Sequence, residues 1–456
     1  MADTIAAVAT GGGVSAIGVI RVSGDDAITI VSKVFRPRSG RSMADYESGR
    51  LVYGELLGTD GAPIDLCLCT VSRAPYSYTG ENTAELHCHG SPVVLAEGLR
   101  ALFQAGARQA GPGEFTKRAF LNGKMDLSQA AAVIDIIEAQ TEAAARNALG
   151  QLKGALFRRV EAVYSDLLDI RSHYFAVIDY PDEDIEPFEL AEYRATLENN
   201  IGRLKALLAT YDRGRVMKDG VLTAIIGRPN VGKSSLLNAL AGYDRAIVSP
   251  HAGTTRDTIE ERVRLGSVVL RLTDTAGIRE TADEIERLGV ERSRAAAEGA
   301  SLVLAVFDGS EPLGEEDYSV IEAAKGARRC LAVVNKADLP RRIETDILKE
   351  ALGEPLFVSA RTGRGIEDLS QAVQDLFGMG EIQPDGEVLT SALQAEAVSR
   401  AASALERARE GLEAGLTPDA VLSDIEEAMN ALGEITGRTV REDTLARIFE
   451  RFCVGK

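Results

Sequence analysis

The sequence of 456 residues has few cysteines and no long apolar run. Its five cysteines are scattered and odd in number, which argues against a disulfide framework and suits a reducing compartment. The longest apolar runs, such as residues 302–307, have the length of a strand and fall far short of the ~20 residues that a membrane span needs. We therefore expect a cytoplasmic protein that has no signal peptide and does not act at a membrane.

Basic residues are also under-represented relative to acidic ones. Lys and Arg number 51 against 69 Asp and Glu, so the net charge is −18. This balance argues against binding of nucleic acids or membranes driven by the charge of the whole surface. It leaves room for a local basic face, because residues 100–124 contain five basic side chains and one acidic side chain, Glu114.

Histidine is rarer still, with four residues in the chain. His87 and His89 flank Cys88, and alternation along a strand would put both histidines on one face. The sequence offers no second pair of ligands to complete a zinc site, so we do not expect one.

The segment that carries the clearest chemistry is residues 227–234, Gly-Arg-Pro-Asn-Val-Gly-Lys-Ser. It follows an apolar run at 221–226 and precedes a helical pattern at 235–240, which is the strand, loop and helix order of a phosphate-binding loop. Backbone N–H groups of such a loop point at the anion, and the helix dipole favours its charge. We expect Lys233 to reach the outer phosphates and Ser234 to bind Mg²⁺.

Three further segments follow at workable spacing. Thr255, in Gly253-Thr254-Thr255-Arg256-Asp257, can offer Mg²⁺ a second hydroxyl. Asp274-Thr275-Ala276-Gly277 follows the strand pattern at 268–272, so that Asp274 can hold Mg²⁺ from the outer shell and the Gly277 N–H can contact the γ-phosphate.

The third segment, Asn335-Lys336-Ala337-Asp338, follows the strand pattern at 331–334, and a carboxylate there can accept two N–H bonds from guanine. Adenine lacks that pair of donors, and a buried unpaired carboxylate is costly, so we expect specificity for GTP. Ser359-Ala360-Arg361 follows the strand pattern at 355–358 and would lie behind the guanine base. The whole set resembles a Ras-like GTPase domain.

One position departs from that resemblance. Ras-like proteins have a Gln that orients water after the Asp-x-x-Gly sequence, and here the position holds Ile278, which cannot do so. The hydrolytic machinery must come from elsewhere in the chain.

Differences in the pattern of apolar and polar residues divide the chain into four segments. Residues 1–120 predict a mixed α+β domain, with strands at 17–22, 66–72 and 83–89 and helices at 26–35 and 92–104. Residues 121–219 predict helices, one capped by Ser128 and running to about 178, and another at 189–211. The GTPase domain spans 220–378. Helical patterns resume in residues 379–456. One predicted helix spans 391–413, a second begins at the cap Thr417 with Pro418 in its first turn and ends at about 432, and a third spans 441–452. We predict a multidomain fold: an N-terminal α+β domain, a helical bundle domain and a doubly wound α/β GTPase domain inserted in the helical one.

Three further motifs point to one family. They are Gly80-Glu81, the run Gly113-Glu114-Phe115-Thr116-Lys117-Arg118-Ala119-Phe120-Leu121-Asn122-Gly123-Lys124, and the terminal Phe452-Cys453-Val454-Gly455-Lys456. Together with the GTPase motifs, they make the whole chain resemble the tRNA-modification GTPase family MnmE, also called TrmE. An ordinary small GTPase has no such tail.

The resemblance implies a function and partners. Members act with the flavoprotein MnmG (GidA), in a heterotetramer or larger assembly, to form an aminomethyl or carboxymethylaminomethyl group on carbon 5 of the tRNA wobble uridine. Their N-terminal domain binds a reduced folate, 5-formyl- or 5,10-methylene-tetrahydrofolate, and forms a homodimer. The folate contacts implied here are Arg21, Glu81, Lys124 and Lys456.

The resemblance also implies how GTP could be hydrolysed without that Gln, since members of the family use a K⁺ ion in place of an arginine finger. The implied K⁺ ligands are Asn230, Ser249, His251 and Thr254, and the implied water-positioning carboxylate is Glu286, with Glu284 as the nearest competitor. Cys453 is implied to act beside the folate, and Lys233 and Asn230 in hydrolysis. The nucleotide contacts so predicted are Asn230, Val231, Gly232, Lys233, Ser234, Ser235, Ser249, Pro250, His251, Ala252, Gly253, Thr254, Thr255, Asp274, Thr275, Ala276, Gly277, Asn335, Lys336, Ala337, Asp338, Ser359, Ala360 and Arg361.

Two other functions fit parts of the sequence. A regulatory GTPase that binds RNA or the ribosome would need only the GTPase motifs. A metabolic folate-dependent methyl transferase would need the folate residues but no GTPase domain. The folate residues and the Cys453 tail together favour tRNA modification.

Overall fold

The computed structural model describes residues 3–179, 190–243, 261–272, 297–381 and 385–440, together with 445, 448–450, 452, 454 and 455. The chain divides into two compact units. One consists of residues 1–134, 160–164 and 429–456, and the other of residues 135–159 and 165–428. Within the part of the chain described, no helix is long and apolar enough to cross a membrane.

The first unit is built on a seven-stranded sheet in the order β3-β4-β5-β6-β2-β1-β7. Neighbours are antiparallel except for β1 and β7. The strands are β1 (Ile5–Val8), β2 (Ser15–Ser23), β3 (Phe35–Pro37), β4 (Val52–Leu57), β5 (Pro63–Ser72), β6 (Thr83–Gly90) and β7 (Arg108–Gln109). The strands predicted at 17–22, 66–72 and 83–89 all lie within this sheet.

Two helices cover one face of this sheet, α1 (Ala27–Val34) and α2 (Pro92–Ala105). Alternation explains the arrangement: Ile20 and Val22 of β2 point into the core with Leu102 of α2, and all three are fully buried. The opposite face keeps apolar side chains at the surface. Ile17 and Leu66 have exposed fractions of 61% and 42%.

A smaller apolar cluster joins the C-terminal residues to this unit. Two helices follow β7, α3 (Glu114–Leu121) and α4 (Leu127–Glu138). Leu445, Phe449 and Phe452 pack with Leu127 and Ala130 of α4. The segment that ends the chain therefore belongs to the same compact unit as the N-terminal domain.

The helices of the second unit outside its sheet are α5 (Glu142–Leu152), α6 (Ala155–Asp179), α7 (Leu190–Leu208), α8 (Tyr211–Asp219), α13 (Ala392–Glu413) and α14 (Pro418–Thr436). Some of α6 and α14 lies in the first unit. The helix predicted at 391–413 is confirmed and begins one residue later. The helix from Pro418 also begins where predicted and runs four residues past 432. The helix predicted at 441–452 falls largely outside the described residues.

The predicted single helix from Ser128 to 178 is wrong. Three helices occupy this stretch, because Thr141 caps α5 by accepting a hydrogen bond from Ala144 N at 3.1 Å and Gly154 adopts a left-handed φ of +81° before α6. The cap at the start is Asp126, whose carboxylate accepts from Ser128 N at 2.7 Å. Likewise, the helix predicted at 189–211 ends at Leu208, and α8 follows separately.

The sheet of the second unit has six strands in the order β13-β12-β11-β8-β10-β9, all parallel except for β9. The strands are β8 (Val221–Ile226), β9 (Glu261–Leu265), β10 (Val268–Leu272), β11 (Leu302–Asp308), β12 (Cys330–Asn335) and β13 (Leu356–Phe357). The accompanying helices are α9 (Lys233–Tyr243), α10 (Glu315–Lys325), α11 (Thr345–Leu352) and α12 (Ile366–Leu376).

Both faces of this sheet are buried. Leu304 and Val306 of β11 lie in an apolar core with α9 and α12, whereas Ala305 and Phe307 lie in a second core with α10 and α11. A parallel sheet covered on both faces is the doubly wound fold that the sequence predicts. Its β8–α9 connection is the predicted phosphate-binding loop.

Candidate functional site

The loop between β8 and α9 has backbone angles that demand its residues. Asn230 has φ +65° and Gly232 has φ +93°. A Cβ atom at Gly232 would lie 2.3 Å from Asn335 Nδ2, so no larger residue fits there. Asn is one of the few other residues that tolerate the left-handed region, which accounts for Asn230. The backbone of the loop therefore approaches Asn335 too closely for a side chain at position 232.

Lys233 opens α9 and folds over this loop. Its Nζ donates hydrogen bonds to the carbonyl oxygens of Gly227 at 2.8 Å and Arg228 at 2.9 Å. Burial lowers the pKa of Lys233 from its ordinary value, and Glu316 opposes that shift. Ser234 and Ser235 are exposed in the first turn of α9.

The predicted base-binding segment follows β12 at the same edge of the sheet. Asn335 is buried, and its Nδ2 donates to the carbonyl oxygen of Val231 in the phosphate loop at 2.8 Å. Its Oδ1 accepts from Ala360 N at 3.1 Å. Ala337 N donates to Val358 O at 3.0 Å. The structure thus brings together three of the segments that the sequence predicts to hold the nucleotide.

Asp338 is half-buried in this segment, and both of its oxygens have partners. Oδ1 accepts from Ser359 Oγ at 2.6 Å, and Oδ2 lies 2.7 Å from Arg361 Nη2. The hydrogen bond from Ser359, with help from Arg361, holds the pKa of Asp338 below its usual range. An ionised, oriented carboxylate is the acceptor that the N–H edge of guanine requires.

One buried pair near this segment was not predicted. Lys336 has a left-handed φ of +62°, and its Nζ forms an ion pair with Asp308 at the end of β11. Burial alone would raise the pKa of Asp308, but the bond from Lys336 and those from Ser310 lower it overall. The sequence signal was available, since a carboxylate directly follows the buried strand pattern at 302–307.

Several predicted site residues lie outside the described residues. For the nucleotide and K⁺ they are Ser249, Pro250, His251, Ala252, Gly253, Thr254, Thr255, Asp274, Thr275, Ala276 and Gly277. The same holds for Ile278, Glu284 and Glu286, and for Cys453 and Lys456 of the tail.

In the first unit, Arg21 lies on the face of the sheet that the helices leave open. Its Nε is 2.8 Å from Glu85 Oε1 on the neighbouring strand. Its guanidinium also lies 5.5 Å from the ring centre of Tyr78 and 5.7 Å from that of Phe115. Both distances suit a cation–π contact, so the side chain is held between an acid and two aromatic rings.

Glu81 lies in the loop that precedes β6 and is largely buried, with a side chain 13% exposed. Its Oε2 accepts from Ser23 Oγ at 2.7 Å and from Arg118 Nη1 at 3.1 Å, and its Oε1 accepts from the same nitrogen at 3.2 Å. A carboxylate has about four lone-pair sites, so Oε1 can still accept a further hydrogen bond. Glu81 can therefore accept a hydrogen bond from a ligand that presents N–H groups.

Lys124 approaches the same loop from the end of α3. Its Nζ donates to Pro75 O at 2.9 Å, and its side chain lies 3.3 Å from the position of a Cβ at Gly80. Asn122 Nδ2 donates to Thr79 O at 2.7 Å. The motif at 113–124 therefore holds the Gly80-Glu81 loop. Of the predicted folate residues, Glu81 lies in this loop, Lys124 packs against Gly80, and Arg21 lies beside Tyr78.

The C-terminal tail reaches this region as well. Val454 forms an isolated antiparallel bridge with Pro112, and a Cβ at Gly113 would lie 2.8 Å from Phe452 Cβ. A Cβ at Gly455 would lie 2.2 Å from Val8 O, so the backbone of the tail runs against the end of β1. Two glycines with left-handed φ, Gly113 and Gly455, make this approach possible.

A cavity of about 550 Å³ opens beside Glu81 in this unit. Such a volume suits a small-molecule ligand. Arg21 and Lys124 do not line it. The residues that line it are Asp3, Glu81, Arg108, Gly111, Pro112, Glu114, Lys117, Arg118, Leu121, Asn122, Phe449 and Glu450.

The described thiols lie away from these sites. Cys67, Cys69 and Cys88 are buried in the sheet core, and burial raises the pKa of Cys69 well above its ordinary value. His89 Nδ1 lies 2.7 Å from Asp65 Oδ1. Among the described residues, no group of three or more His, Cys, Asp or Glu side chains is arranged to hold a metal ion.

Family models match nearly the whole chain. The model described as GTP-binding protein TrmE N-terminus matches residues 4–124, and the model described as MnmE helical domain matches residues 127–453. A protein of Symbiobacterium thermophilum named tRNA modification GTPase MnmE is 44% identical over 100% of this chain and 99% of its own length. The chain belongs to the MnmE family of tRNA modification GTPases.

Another full-length relative has the same name. A protein of the same name from Geobacillus kaustophilus is 43% identical over 100% of this chain and 99% of its own. Among solved structures, the G domain of the T. maritima FeoB iron transporter covers 35% of this chain and 98% of that chain, with 27% identity and a TM-score of 0.26. Membership of the MnmE family accounts for the three-part architecture that the sequence predicts.

Proposed function

We propose that the protein is a K⁺-activated GTP hydrolase that acts with the flavoprotein MnmG to form an aminomethyl or carboxymethylaminomethyl group on carbon 5 of the tRNA wobble uridine. The observation that carries the proposal is the joining of the phosphate loop to the base-binding segment by Asn335, in a chain whose other unit gathers Arg21, Glu81 and Lys124 around one loop. A chain with both sites suits chemistry that couples GTP hydrolysis to a folate.

In the GTP site, the loop N–H groups would bind the phosphates, with Lys233 turning from the loop carbonyls to the outer phosphate oxygens. Asp338, held by Ser359, would accept both N–H bonds of guanine. Mg²⁺, held by the hydroxyls of Ser234 and Thr255, would neutralise charge on the phosphates. The close approach of Gly232 to Asn335 supports this arrangement, because it holds the phosphate loop against the predicted base-binding segment.

In hydrolysis, K⁺ would stand where other GTPases place an arginine. Its proposed ligands are the side chain of Asn230 and groups of Ser249, His251 and Thr254. Because Ile278 cannot orient water, Glu286 would do so. Asn230 has a left-handed φ of +65° and an exposed side chain, so its amide is accessible to an ion at the loop.

In the folate site, Glu81 would accept hydrogen bonds from the donor edge of the pterin. Arg21, Lys124 and Lys456 would bind the carboxylates of the glutamate tail. The bridge between Val454 and Pro112 brings the described part of the tail against a residue that lines the cavity beside Glu81. The thiol of Cys453 would act beside the folate's one-carbon group.

A homodimer would form through the open face of the first sheet. Tyr53 lies opposite Leu68 on adjacent strands, and their exposed fractions are 45% and 36%. Ile17 and Leu66 are exposed on the same face, so a second copy would remove several apolar side chains from water. We further propose that MnmG and tRNA bind this dimer in the cytoplasm.

The test is nucleoside analysis of tRNA from a strain that lacks the gene. Loss of the modified wobble uridine, restored by the wild-type gene, is the expected result. Unaltered wobble nucleosides would favour the second candidate, a regulatory GTPase that binds RNA or the ribosome. The purified protein should also bind 5-formyl-tetrahydrofolate, which that candidate does not require.

A further inference from the structure

Arg118 occupies the centre of a group of three carboxylates, Asp3, Glu81 and Glu114. Its Nη1 contacts both oxygens of Glu81, at 3.1 and 3.2 Å, and donates to the carbonyl oxygen of Asp3 at 2.8 Å. Its Nη2 lies 2.8 Å from Asp3 Oδ1 and 3.0 Å from Glu114 Oε1. The Arg118 side chain is only 10% exposed, so water screens these contacts weakly.

A second arginine shares two of these acids but not the third. Arg108 forms ion pairs with Asp3 and Glu114, and its side chain is 47% exposed. Within the described part of the chain, Arg118 is the only cation paired with Glu81. The acidic cluster therefore holds two arginines, of which Arg118 contacts Glu81 and Arg108 does not.

Hydroxyl groups hold Glu81 from the other side. Ser23 Oγ donates to Glu81 Oε2 at 2.7 Å, and Thr79 Oγ1 lies 2.7 Å from Ser23 Oγ. Ser23 donates its single hydroxyl proton to Glu81, so Thr79 must donate to Ser23. Thr79 Oγ1 in turn accepts a hydrogen bond from Glu81 N at 3.3 Å. Ser23 and Thr79 are both fully buried, so this series of hydrogen bonds fixes the orientation of the Glu81 carboxylate.

We propose that Arg118 is a positioning residue for folate recognition: it holds the Glu81 carboxylate turned so that Oε1 faces the N–H edge of the pterin. The inference deepens the proposed function and rests on it. Without Arg118, Glu81 would lose its only cation among the described residues. The carboxylate would then rotate away from the position in which Oε1 can accept a hydrogen bond from the ligand.

The experiment is a calorimetric titration of the full-length protein with 5-formyl-tetrahydrofolate. Arg118→Gln should weaken binding about 10- to 100-fold, the effect of losing a charge-assisted hydrogen bond at a buried acceptor. Arg118→Lys should fall in between, because lysine restores the charge without the planar fork. Arg36→Gln, the control, removes an arginine from an exposed ion pair with Glu55 in the same unit, away from the cavity, and should bind as wild type.

A double-mutant cycle separates positioning from general destabilisation. If Arg118 acts through Glu81, the double variant Glu81→Gln/Arg118→Gln should bind no more weakly than Glu81→Gln alone. Losses that add would overturn the proposal, since Arg118 would then act independently of Glu81. Wild-type affinity in Arg118→Gln, with loss in Glu81→Gln, would overturn it too.

Two further measurements keep the result interpretable. GTP hydrolysis by Arg118→Gln should stay at the wild-type rate, and its folate affinity should remain low at 10 °C, well below its thermal unfolding midpoint. Recovery of affinity on cooling would overturn positioning in favour of misfolding. If the wild-type protein itself does not bind the folate, the folate assignment fails, and this inference fails with it, a result distinct from the variant outcomes.

Discussion

Asn335 Nδ2 donates a hydrogen bond to the carbonyl oxygen of Val231 at 2.8 Å, so the side chain that opens the base-binding segment holds the phosphate loop. The same amide accepts from Ala360 N at 3.1 Å. A Cβ at Gly232 would strike this amide, which is why the loop carries glycine there. One buried side chain thus positions both ends of the proposed nucleotide site.

Nucleotide choice should depend on Asp338. Asp338→Asn should weaken GTP binding by at least ~100-fold, because an amide presents one acceptor and a mismatched NH₂ to guanine. XTP, which carries a carbonyl in place of the 2-amino group, should bind this variant better than GTP does. Titrations with both nucleotides check this, and tight GTP binding by Asp338→Asn would refute the assignment.

Hydrolysis should depend on K⁺ and should bring two GTPase domains together. A cation near the bridging oxygen can stabilise developing charge as an arginine finger does, an effect on the order of 10³–10⁵ in other GTPases. Turnover and the oligomeric state in matched KCl and NaCl test this, and Na⁺ should fit poorly because it is smaller. Equal turnover in the two salts would show the idea to be wrong.

The variant Asn230→Gly sharpens that test. Glycine adopts the φ of +65° found at Asn230 without strain, so the loop should keep its shape while the side-chain ligand is lost. GTP affinity should change little, and stimulation by K⁺ should disappear. Full stimulation in Asn230→Gly would remove Asn230 from the K⁺ site.

Glu286 should position the attacking water. Glu286→Ala should retain GTP affinity and lose most of its turnover, as expected for an interaction made chiefly in the transition state. Glu284→Ala is the paired control, two residues away with the same charge. Normal turnover in Glu286→Ala with loss in Glu284→Ala would assign the role to the other carboxylate.

Cys453 should matter for tRNA modification and not for GTP hydrolysis. Cys453→Ser should hydrolyse GTP at nearly the wild-type rate and lose most of the modification activity, with both assays run on one preparation. Lys456 nearby would favour the thiolate form of the thiol. Cys330→Ala is a control in the GTPase domain, where burial raises the pKa of the Cys330 thiol to about 11. Full modification by Cys453→Ser would assign Cys453 to a packing role.

Acid should destabilise the first unit through Glu114. Burial alone would raise the pKa of Glu114, but hydrogen bonds from Arg108, Gly111 N and Arg118 lower it to about 2. Because the folded-state pKa lies below the ordinary value of 4.5, the stabilisation is complete above about pH 4.5 and is lost as the pH falls towards 2.

The variant Glu114→Gln should lose about 1–2 kcal/mol of unfolding free energy at pH 7, less than the full shift implies because solvent screens Arg108. Its unfolding curve should converge with that of the wild type near pH 2. Glu55→Gln, which removes an exposed pair with Arg36, should change stability by less than ~0.5 kcal/mol. A constant gap between wild type and Glu114→Gln from pH 7 to 2 would contradict the linkage.

The sequence by itself determined the regular elements whose pattern is local. The strand at 268–272 was predicted to the residue, and the helix predicted at 391–413 begins one residue later, because period-2 and 3.6-residue patterns specify them. The same reasoning misjudged the stretch after Ser128, where the capping bond at Thr141 and the left-handed turn at Gly154 interrupt an Ala-rich pattern that reads as one helix. Apolar spacing continues across such breaks, so it cannot reveal them.

Only the tertiary structure decided which charges meet. Arg118 is 37 residues from Glu81 and 115 from Asp3 along the chain, and Lys336 is 28 from Asp308. No local pattern predicts such pairs, because they depend on how strands and helices distant in sequence pack. The family motif marks Arg118 as one residue in a run of twelve, but its burial among three acids comes from the fold of β1, the Glu81 loop and α3 around it.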